Sequence, residues 1–179
     1  MIITLPNRRP VVRVFAAAAI AAVLACAPSK SATKAVDSAA ASAAQVRAVH
    51  DSVSAMLTDF VDKMSNGGLE GAGMLYSSDT SFYWIESGSL RFQNTAELRK
   101  SLLTLKSIPQ IKMTLYETRI DVLSPTIASV RTEFSQGLLS GTGKGDTYGG
   151  YMTILVVRES DGWRMRNGHT SSRRPRPGM

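Results

Sequence analysis

The chain contains a single cysteine, Cys26, and only two histidines, His50 and His169, among its 179 residues. One cysteine cannot form a disulfide within the chain, so no disulfide framework supports the fold. Two histidines without carboxylates clustered at ligand spacing do not provide a metal site. We therefore expect neither a metal nor a cofactor. Stability must come from an ordinary hydrophobic core, which a content of 44% hydrophobic residues allows.

Motifs of several common enzyme classes are also missing. The Gly-rich stretch at 137–150 contains Lys144, but Gly145 follows it where a phosphate-binding loop requires Ser or Thr. No Ser-His-Asp or Gly-x-Ser-x-Gly arrangement of a hydrolase is visible in the sequence. We predict that residues 137–150 form a hairpin connection.

The centre of the chain has little net charge. The formal charge is +7, but six arginines lie at the two ends, so the centre carries about +1. Such a domain lacks the basic face that nucleic acids require, and we expect no nucleic-acid partner. Residues 173–179 are predicted to be a basic, disordered tail. The six terminal arginines are Arg8, Arg9, Arg13, Arg173, Arg174 and Arg176.

The N-terminal apolar run, residues 14–25, is shorter than the roughly 20 residues that a membrane-spanning helix needs. It follows a basic segment, which predicts a signal peptide over residues 1–25. Cys26 comes next in "VLAC", and this stretch resembles a bacterial lipobox. The resemblance implies lipidation of Cys26 and a cell-envelope location. Because Ala27 follows, it implies the periplasmic face of the outer membrane in a Gram-negative cell. Cleavage near Ala25 that leaves a free thiol is the alternative.

Residues 26–44 are rich in Ala and Ser and are predicted to be a tether whose C-terminal part drifts into helix. From about residue 44 to Met64, apolar residues recur at spacings of three and four, which predicts a long amphipathic helix. A short second helix is expected over 69–76. A third is expected over 95–107, capped by Thr95. Its predicted buried side comprises Leu98, Leu102, Leu103 and Leu105.

The remaining pattern is β. A strand is predicted over 80–86, followed by a turn and, after the third helix, by a four-stranded antiparallel meander. The meander strands are predicted over 110–123, 127–138, 151–158 and 163–171. Helices on one face of an antiparallel sheet define an α+β domain, which we place at 45–172. A strongly curved sheet wrapped by three N-terminal helices leaves a concavity suited to a small ligand.

Three stretches, in this order and spacing, resemble the NTF2-like superfamily, specifically its SnoaL-like and DUF4440 members. They are "FVDKMSNGGLEGAGMLYSSDTSFYW", "TAELRKSLLTL" and "MTILVVRESDGWRMRNGHTSS". The resemblance spans roughly residues 46–172 and implies an open, cone-shaped fold. Such proteins include isomerases, cyclases, dehydratases and non-enzymatic binding or assembly modules. The family commonly has Gly-Asp where this chain has Gly67-Gly68.

The resemblance allows one activity to be tested by register. Ketosteroid isomerases share this fold and use a helix tyrosine with a strand carboxylate. With Tyr76 as the anchor, these two positions fall on Phe60 and Trp84, neither of which can perform that chemistry. Glu86, expected near the mouth of the cone, is one candidate for a catalytic base. Asp79 is expected to cap a turn.

Strand alternation assigns further residues to the concavity. Trp163, Met165, Asn167 and His169 have the same parity, so Asn167 and His169 are predicted to face the ligand site. His169 is the second catalytic candidate and the main polar ligand contact. A structural role at the end of the sheet is the alternative for His169.

The aromatic lining is also predicted by alternation. Tyr116 shares its parity with Thr118, Ile120 and Val122, and Phe134 shares its parity with Ala128, Val130 and Thr132. Trp84, Tyr116 and Phe134 are the candidate aromatic ligand contacts. Arg131 and Glu133 fall on the opposite face. Pairing with neighbouring strands is one role for them there, and a dimer contact, which the resemblance implies, is the alternative.

Three functions remain open. The favoured one is an envelope-anchored protein that binds a small apolar or carbonyl-bearing molecule without turnover, because no acid/base pair is expected. The second is an isomerase, dehydratase or lyase that uses His169 with Asn167 or Glu86. The third is an assembly module that dimerises through its sheet and contacts envelope proteins. The expected partners are the membrane through Cys26, a small molecule and a second copy of the chain.

Overall fold

A computed structural model describes residues 31–173 and the side chains of residues 42–172. The predicted signal peptide, Cys26 and the tail from residue 174 onward lie outside the described residues. The elements run in the order α1 (Ser31–Ser65), α2 (Leu69–Met74), β1 (Tyr83–Glu86), β2 (Ser89–Phe92), α3 (Thr95–Thr104), a 3₁₀ turn (Leu105–Ser107), β3 (Gln110–Ser124), β4 (Ile127–Leu139), β5 (Gly145–Glu159) and β6 (Gly162–Arg173).

The predicted long helix is present as α1, and it starts well before residue 44. It begins at Ser31, so much of the segment predicted as a tether is helical, in keeping with the high helix propensity of alanine. Its buried face packs chiefly against β3 and consists of Val49, Val53, Met56, Leu57, Phe60 and Met64. Within residues 31–173, no helix has the length and hydropathy needed to cross a membrane.

The second helix, α2, ends at Met74, two residues earlier than predicted. Tyr76 is already extended and forms an isolated parallel bridge to Met165 of β6. The backbone N–H of Ser77 then donates to the Met165 carbonyl at 2.9 Å. Pairing with the sheet therefore ends the helix before Tyr76.

The third helix has a different cap from the predicted one. The side chain of Asn94, not that of Thr95, accepts a hydrogen bond from the Glu97 backbone N–H at 2.9 Å. The Thr95 hydroxyl instead donates to the Ser77 carbonyl and joins α3 to the segment after α2. The prediction for Leu103 was also wrong, since this side chain is 39% exposed.

The four-stranded meander is confirmed within a six-stranded sheet of order β2-β1-β6-β5-β4-β3. The first strand, β1, runs parallel to β6, and every other neighbouring pair is antiparallel. The prediction of a turn after residue 86 missed β2, which pairs with β1 across Ser87 and Gly88. Both of these residues have positive φ, as tight two-residue hairpins require. The fifth strand also starts earlier than predicted, at Gly145.

Two irregularities change which side chains face the interior. In β3, the register shifts between Tyr116 and Arg119, around Glu117 with its φ of 46°. In β6, Leu155 pairs with Asn167 while Val156 pairs with Met165, so Arg166 is an extra residue. An extra residue reverses the alternation beyond it.

The curved, unclosed sheet and the N-terminal helices form the α+β cone expected from the sequence. The core lies between the inner face of the sheet and α1, α2 and α3. Four alternating residues of β4, Ala128, Val130, Thr132 and Phe134, are all buried there, as predicted.

Candidate functional site

A cavity of about 320 Å³ lies between the inner face of the sheet, α1 and α3. This size is within the range of pockets that hold small molecules. The cavity is lined mainly by apolar and aromatic side chains. Six aromatic rings contribute to its wall: Phe60, Tyr76, Trp84, Phe92, Phe134 and Tyr148.

Tyr76 is at the centre of these rings. Its ring makes edge-to-face contacts with Phe60, Phe82 and Trp84, at centroid distances of 5.8, 6.1 and 5.4 Å. Phe134 and Tyr148 form a similar pair at 6.2 Å. These geometries are favourable for aromatic quadrupoles and hold the wall in a defined shape.

The position of Trp84 depends on β6. Its indole Nε1 donates to the Thr170 hydroxyl at 3.2 Å, and both residues are buried. Its ring covers the backbone of Gly168, where an added Cβ would lie 2.3 Å from Cζ3. The indole therefore occupies space that a side chain at residue 168 would take.

Glu86 is the acidic group of the cavity wall. It ends β1 on the same face as Trp84 and is half-buried. Burial raises the pKa of its carboxyl, and Arg91 acts in the opposite direction. Arg91 Nε is 3.7 Å from Oε2, which is too long for a hydrogen bond, and its guanidinium lies over the Phe92 ring at 5.5 Å. Within the described residues the Glu86 carboxylate accepts no hydrogen bond.

Further polar side chains line the cavity without a hydrogen-bond partner among residues 42–172. They include the hydroxyls of Tyr76 and Tyr148 and the amide of Gln136. Tyr76 and Gln136 are only 6% and 9% exposed. Burial, and then the charge of Glu86, raises the pKa of both tyrosines, so they remain protonated. No fully buried side-chain nitrogen or oxygen of the described residues lacks a partner, so these unpartnered atoms are accessible in the cavity and available to a bound molecule.

The structure brings together only some of the residues predicted for the site. Trp84, Phe134 and Glu86 line the cavity. The prediction that Asn167 and His169 face the concavity was wrong, because the extra residue in β6 places both on the outer face. His169 is exposed there, beside a shallow depression shared with Asn167. Whether any of these side chains contacts a ligand stays a prediction.

Tyr116 also lies outside the cavity. It precedes the register shift in β3 and is 49% exposed, whereas Ile120 and Val122, beyond the shift, are partly buried against the core. The prediction that Tyr116 shares a face with these two residues was therefore wrong. Arg131 and Glu133 alternate with the buried residues of β4, as predicted.

Sequence reasoning missed Tyr76, Gln136, Tyr148 and Thr170. Gln136 could have been found by extending the alternation of β4 two residues past Phe134, since it lies on the same face. Tyr148 was missed because β5 was predicted to start at residue 151. Across the part of the chain that the structure describes, no group of three or more His, Cys, Asp or Glu could hold a metal ion.

Comparison with known proteins shows similarity of structure rather than of sequence. No family model matches the chain, and no curated protein matches its sequence. A protein of Novosphingobium aromaticivorans, provisionally assigned as a scytalone dehydratase, superposes with a TM-score of 0.64 and 14% identity over 75% of this chain and 89% of its own. An NTF2-like protein of unknown function from Shewanella oneidensis gives a TM-score of 0.57 and 22% identity over 68% and 98%.

A third similar structure is an NTF2-like superfamily protein of Salmonella enterica, with a TM-score of 0.60 and 11% identity over 75% of this chain and 96% of its own. At these identities the likeness concerns the fold alone. The cone formed by the curved sheet and the N-terminal helices is the NTF2-like fold.

Proposed function

We propose that this protein binds a small, largely apolar molecule with one polar end, such as a carbonyl group, inside the cone and does not convert it. The observation that carries the proposal is the cavity of about 320 Å³, where aromatic walls surround polar groups that have no hydrogen-bond partner among the described side chains. A bound molecule would satisfy the Tyr76 hydroxyl and the Gln136 amide while its apolar part contacts the rings.

Binding without turnover fits the titratable groups of the cavity. General acid–base catalysis works best when the pKa of each catalytic group lies near the working pH. Burial instead raises the pKa of Tyr76 and Tyr148 further above neutrality, which makes both phenols poor acids. They are suited to donating hydrogen bonds to a ligand.

A proton-transfer enzyme is the second candidate, and the environment of Glu86 favours it. A carboxyl whose pKa is raised by burial is a better base than an ordinary surface carboxylate. The Novosphingobium aromaticivorans relative and a protein of Streptomyces avermitilis are provisionally assigned as dehydratases. His169 is on the outer face, so Glu86 would be the base in such an enzyme.

The binding proposal can be tested by thermal unfolding of the full chain in detergent against small ketones, alcohols and phenols. A ligand at 100 times its dissociation constant should stabilise the protein by about 2.7 kcal/mol. Tyr76→Phe should weaken the effect, and His169→Ala, on the outer face, should leave it unchanged. Product formation from any bound compound would favour the enzyme. If no compound stabilises the wild type, the binding proposal is wrong.

We also propose that the domain is anchored to the cell envelope through a lipidated Cys26 and that it forms a homodimer through the outer face of its sheet. Cys26→Ser should then abolish incorporation of a labelled fatty acid and release the protein from membranes. Sedimentation of the detergent-solubilised chain should show the mass of a dimer. Substitution of Arg131 by Glu, on that outer face, should shift the mass to that of a monomer.

A further inference from the structure

We infer that the ligand of the cavity is a small organic cation, an ammonium group carried on an apolar body. This inference rests on the proposed binding function and narrows it to one chemical class. It is carried by three features of the cavity wall: the number of aromatic rings, the Glu86 carboxylate, which has an ion pair to the exposed Arg91 but accepts no hydrogen bond within the described residues, and the oxygens of neighbouring polar groups.

The aromatic rings provide the first argument. The faces of aromatic rings carry negative electrostatic potential and attract cations that lie within about 6 Å of the ring centroid. Six rings line this one cavity. The guanidinium of Arg91 already lies over the Phe92 ring at 5.5 Å, so this wall holds a cation at its rim. A ligand ammonium could make the same contact with the rings deeper inside.

The carboxylate of Glu86 provides the second argument. It accepts no hydrogen bond within the described residues, and its nearest cation is Arg91 at 3.7 Å. The Arg91 side chain is 60% exposed, so it remains largely hydrated. An ammonium in the cavity could donate hydrogen bonds directly to Glu86, and such charge-assisted bonds are stronger than neutral ones. Burial makes the negative charge of Glu86 unfavourable despite the ion pair with Arg91, and a cation bound in the cavity would relieve this.

The remaining polar groups of the cavity wall can also accept hydrogen bonds from a cation. The hydroxyl oxygens of Tyr76 and Tyr148 and the Gln136 amide oxygen are acceptors for further N–H groups. Among residues 42–172, no lysine or histidine lines the cavity, and Arg91 is its one cationic residue. An anionic ligand would lie beside Glu86 without a buried positive charge to compensate it.

The chemical class of the ligand also determines whether its affinity rises or falls with pH. An ammonium binds best to ionised Glu86, so its affinity should fall when the carboxyl becomes protonated at low pH. A neutral alcohol can accept from the protonated carboxyl, so its affinity should not fall in the same range. Arg91 is the charged group that faces Glu86, and Tyr76 and Tyr148 are the other titratable groups that interact with it.

Three probes with one indole ring test the inference: tryptamine as the ammonium, tryptophol as the alcohol and indole-3-acetate as the anion. Calorimetric titration of the full chain in detergent should show tryptamine binding about tenfold more tightly than tryptophol, with the anion weakest. Glu86→Gln should remove this preference. Glu117→Gln, which changes an exposed carboxylate outside the cavity, should retain it.

A second variant tests whether the aromatic rings contribute to binding of the ammonium group. Phe134→Leu keeps the wall apolar and should weaken tryptamine binding more than tryptophol binding. Equal or tighter binding of tryptophol, or a tryptamine preference that persists in Glu86→Gln, would overturn the inference while the proposed binding function stands. If none of the three probes binds but other, neutral compounds do, the inference that the ligand is an organic cation is again wrong. If nothing binds at all, both the inference and the proposed function are wrong.

Discussion

Trp84 and Gly168 are register partners on β1 and β6, and the Trp84 ring lies so close to Gly168 that a Cβ there would be 2.3 Å from Cζ3. The inner wall of the cavity therefore depends on a missing side chain in the neighbouring strand. The hydrogen bond from Trp84 to Thr170, two residues further along β6, keeps the ring in this position.

Gly168→Ala is expected to destabilise the protein by about 1–3 kcal/mol, because the added methyl group forces the Trp84 ring out of its place. Urea unfolding followed by tryptophan fluorescence would measure the change. Gly141→Ala is the matched control, since no atom of the described residues lies within 4 Å of its Cβ position, and it should unfold like the wild type. Equal stability of both variants would contradict the packing described for Trp84.

Thr170→Val keeps the shape of the side chain but removes the acceptor of the Trp84 N–H. A buried donor without a partner costs about 1–3 kcal/mol, and Thr170 is only 8% exposed. We expect that loss in the free energy of unfolding. Thr153→Val changes an exposed threonine on the neighbouring strand and should alter stability by less than about 0.5 kcal/mol. A Thr170→Val variant as stable as this control would show that the hydrogen bond is unimportant.

Asn94→Ala is expected to destabilise the protein by about 1 kcal/mol, because α3 loses its N-cap. Asn94→Ser keeps an acceptor at the helix N-terminus without placing a second carboxylate beside Glu97, and it should restore most of the stability. Chemical denaturation of both variants measures the difference. The prediction is wrong if Ala and Ser at this position give the same stability.

Glu86→Gln is expected to change how stability depends on pH. Burial raises the pKa of Glu86 in the folded state, so the folded protein binds this proton more tightly than the unfolded chain does. The resulting stabilisation is complete below the unfolded pKa of about 4.3 and is lost as pH rises through the higher folded pKa. Relative to Glu86→Gln, the wild type should therefore lose stability as the pH is raised towards neutrality. Urea unfolding of both proteins across this range measures the effect.

Asp79→Asn provides a control, because Asp79 should change the stability with pH in the direction opposite to Glu86. Hydrogen bonds from the Ser81 side chain and backbone, together with Arg166, lower the pKa of Asp79. Its contribution is present above the unfolded pKa of about 3.9 and is lost as pH falls through the lower folded pKa. Relative to Asp79→Asn, the wild type should lose stability on acidification. Two variants with the same pH dependence would contradict the environment described for Glu86.

Much of the fold could be predicted from the sequence, because its signals are local. Spacings of three and four placed α1, and the apolar runs after Pro109 placed the four strands of the meander. The short strand β2 was missed because its four residues are half-exposed or exposed and show no apolar alternation. The Ser87-Gly88 pair was the available signal for that hairpin.

The site was predicted only in part, and the errors have one physical cause. Phe134 and Trp84 were assigned correctly to the cavity wall, since no irregularity interrupts β4 and since β1 is short. Alternation failed for Tyr116 and His169, because each prediction extended the parity of its strand across a register shift. A single extra residue moves every later side chain to the other face.

The order of helices and strands, the amphipathic face of α1 and the composition of the core were thus determined by the sequence itself, because each depends on neighbours within a few residues. Which residues line the cavity was decided by the tertiary structure. Arg166 becomes an extra residue only when β6 is held between β1 and β5, and that pairing turns His169 outward and Thr170 inward beneath Trp84. The register of β6 against both β5 and β1 decides this geometry, and the alternation of apolar residues within β6 does not record that register.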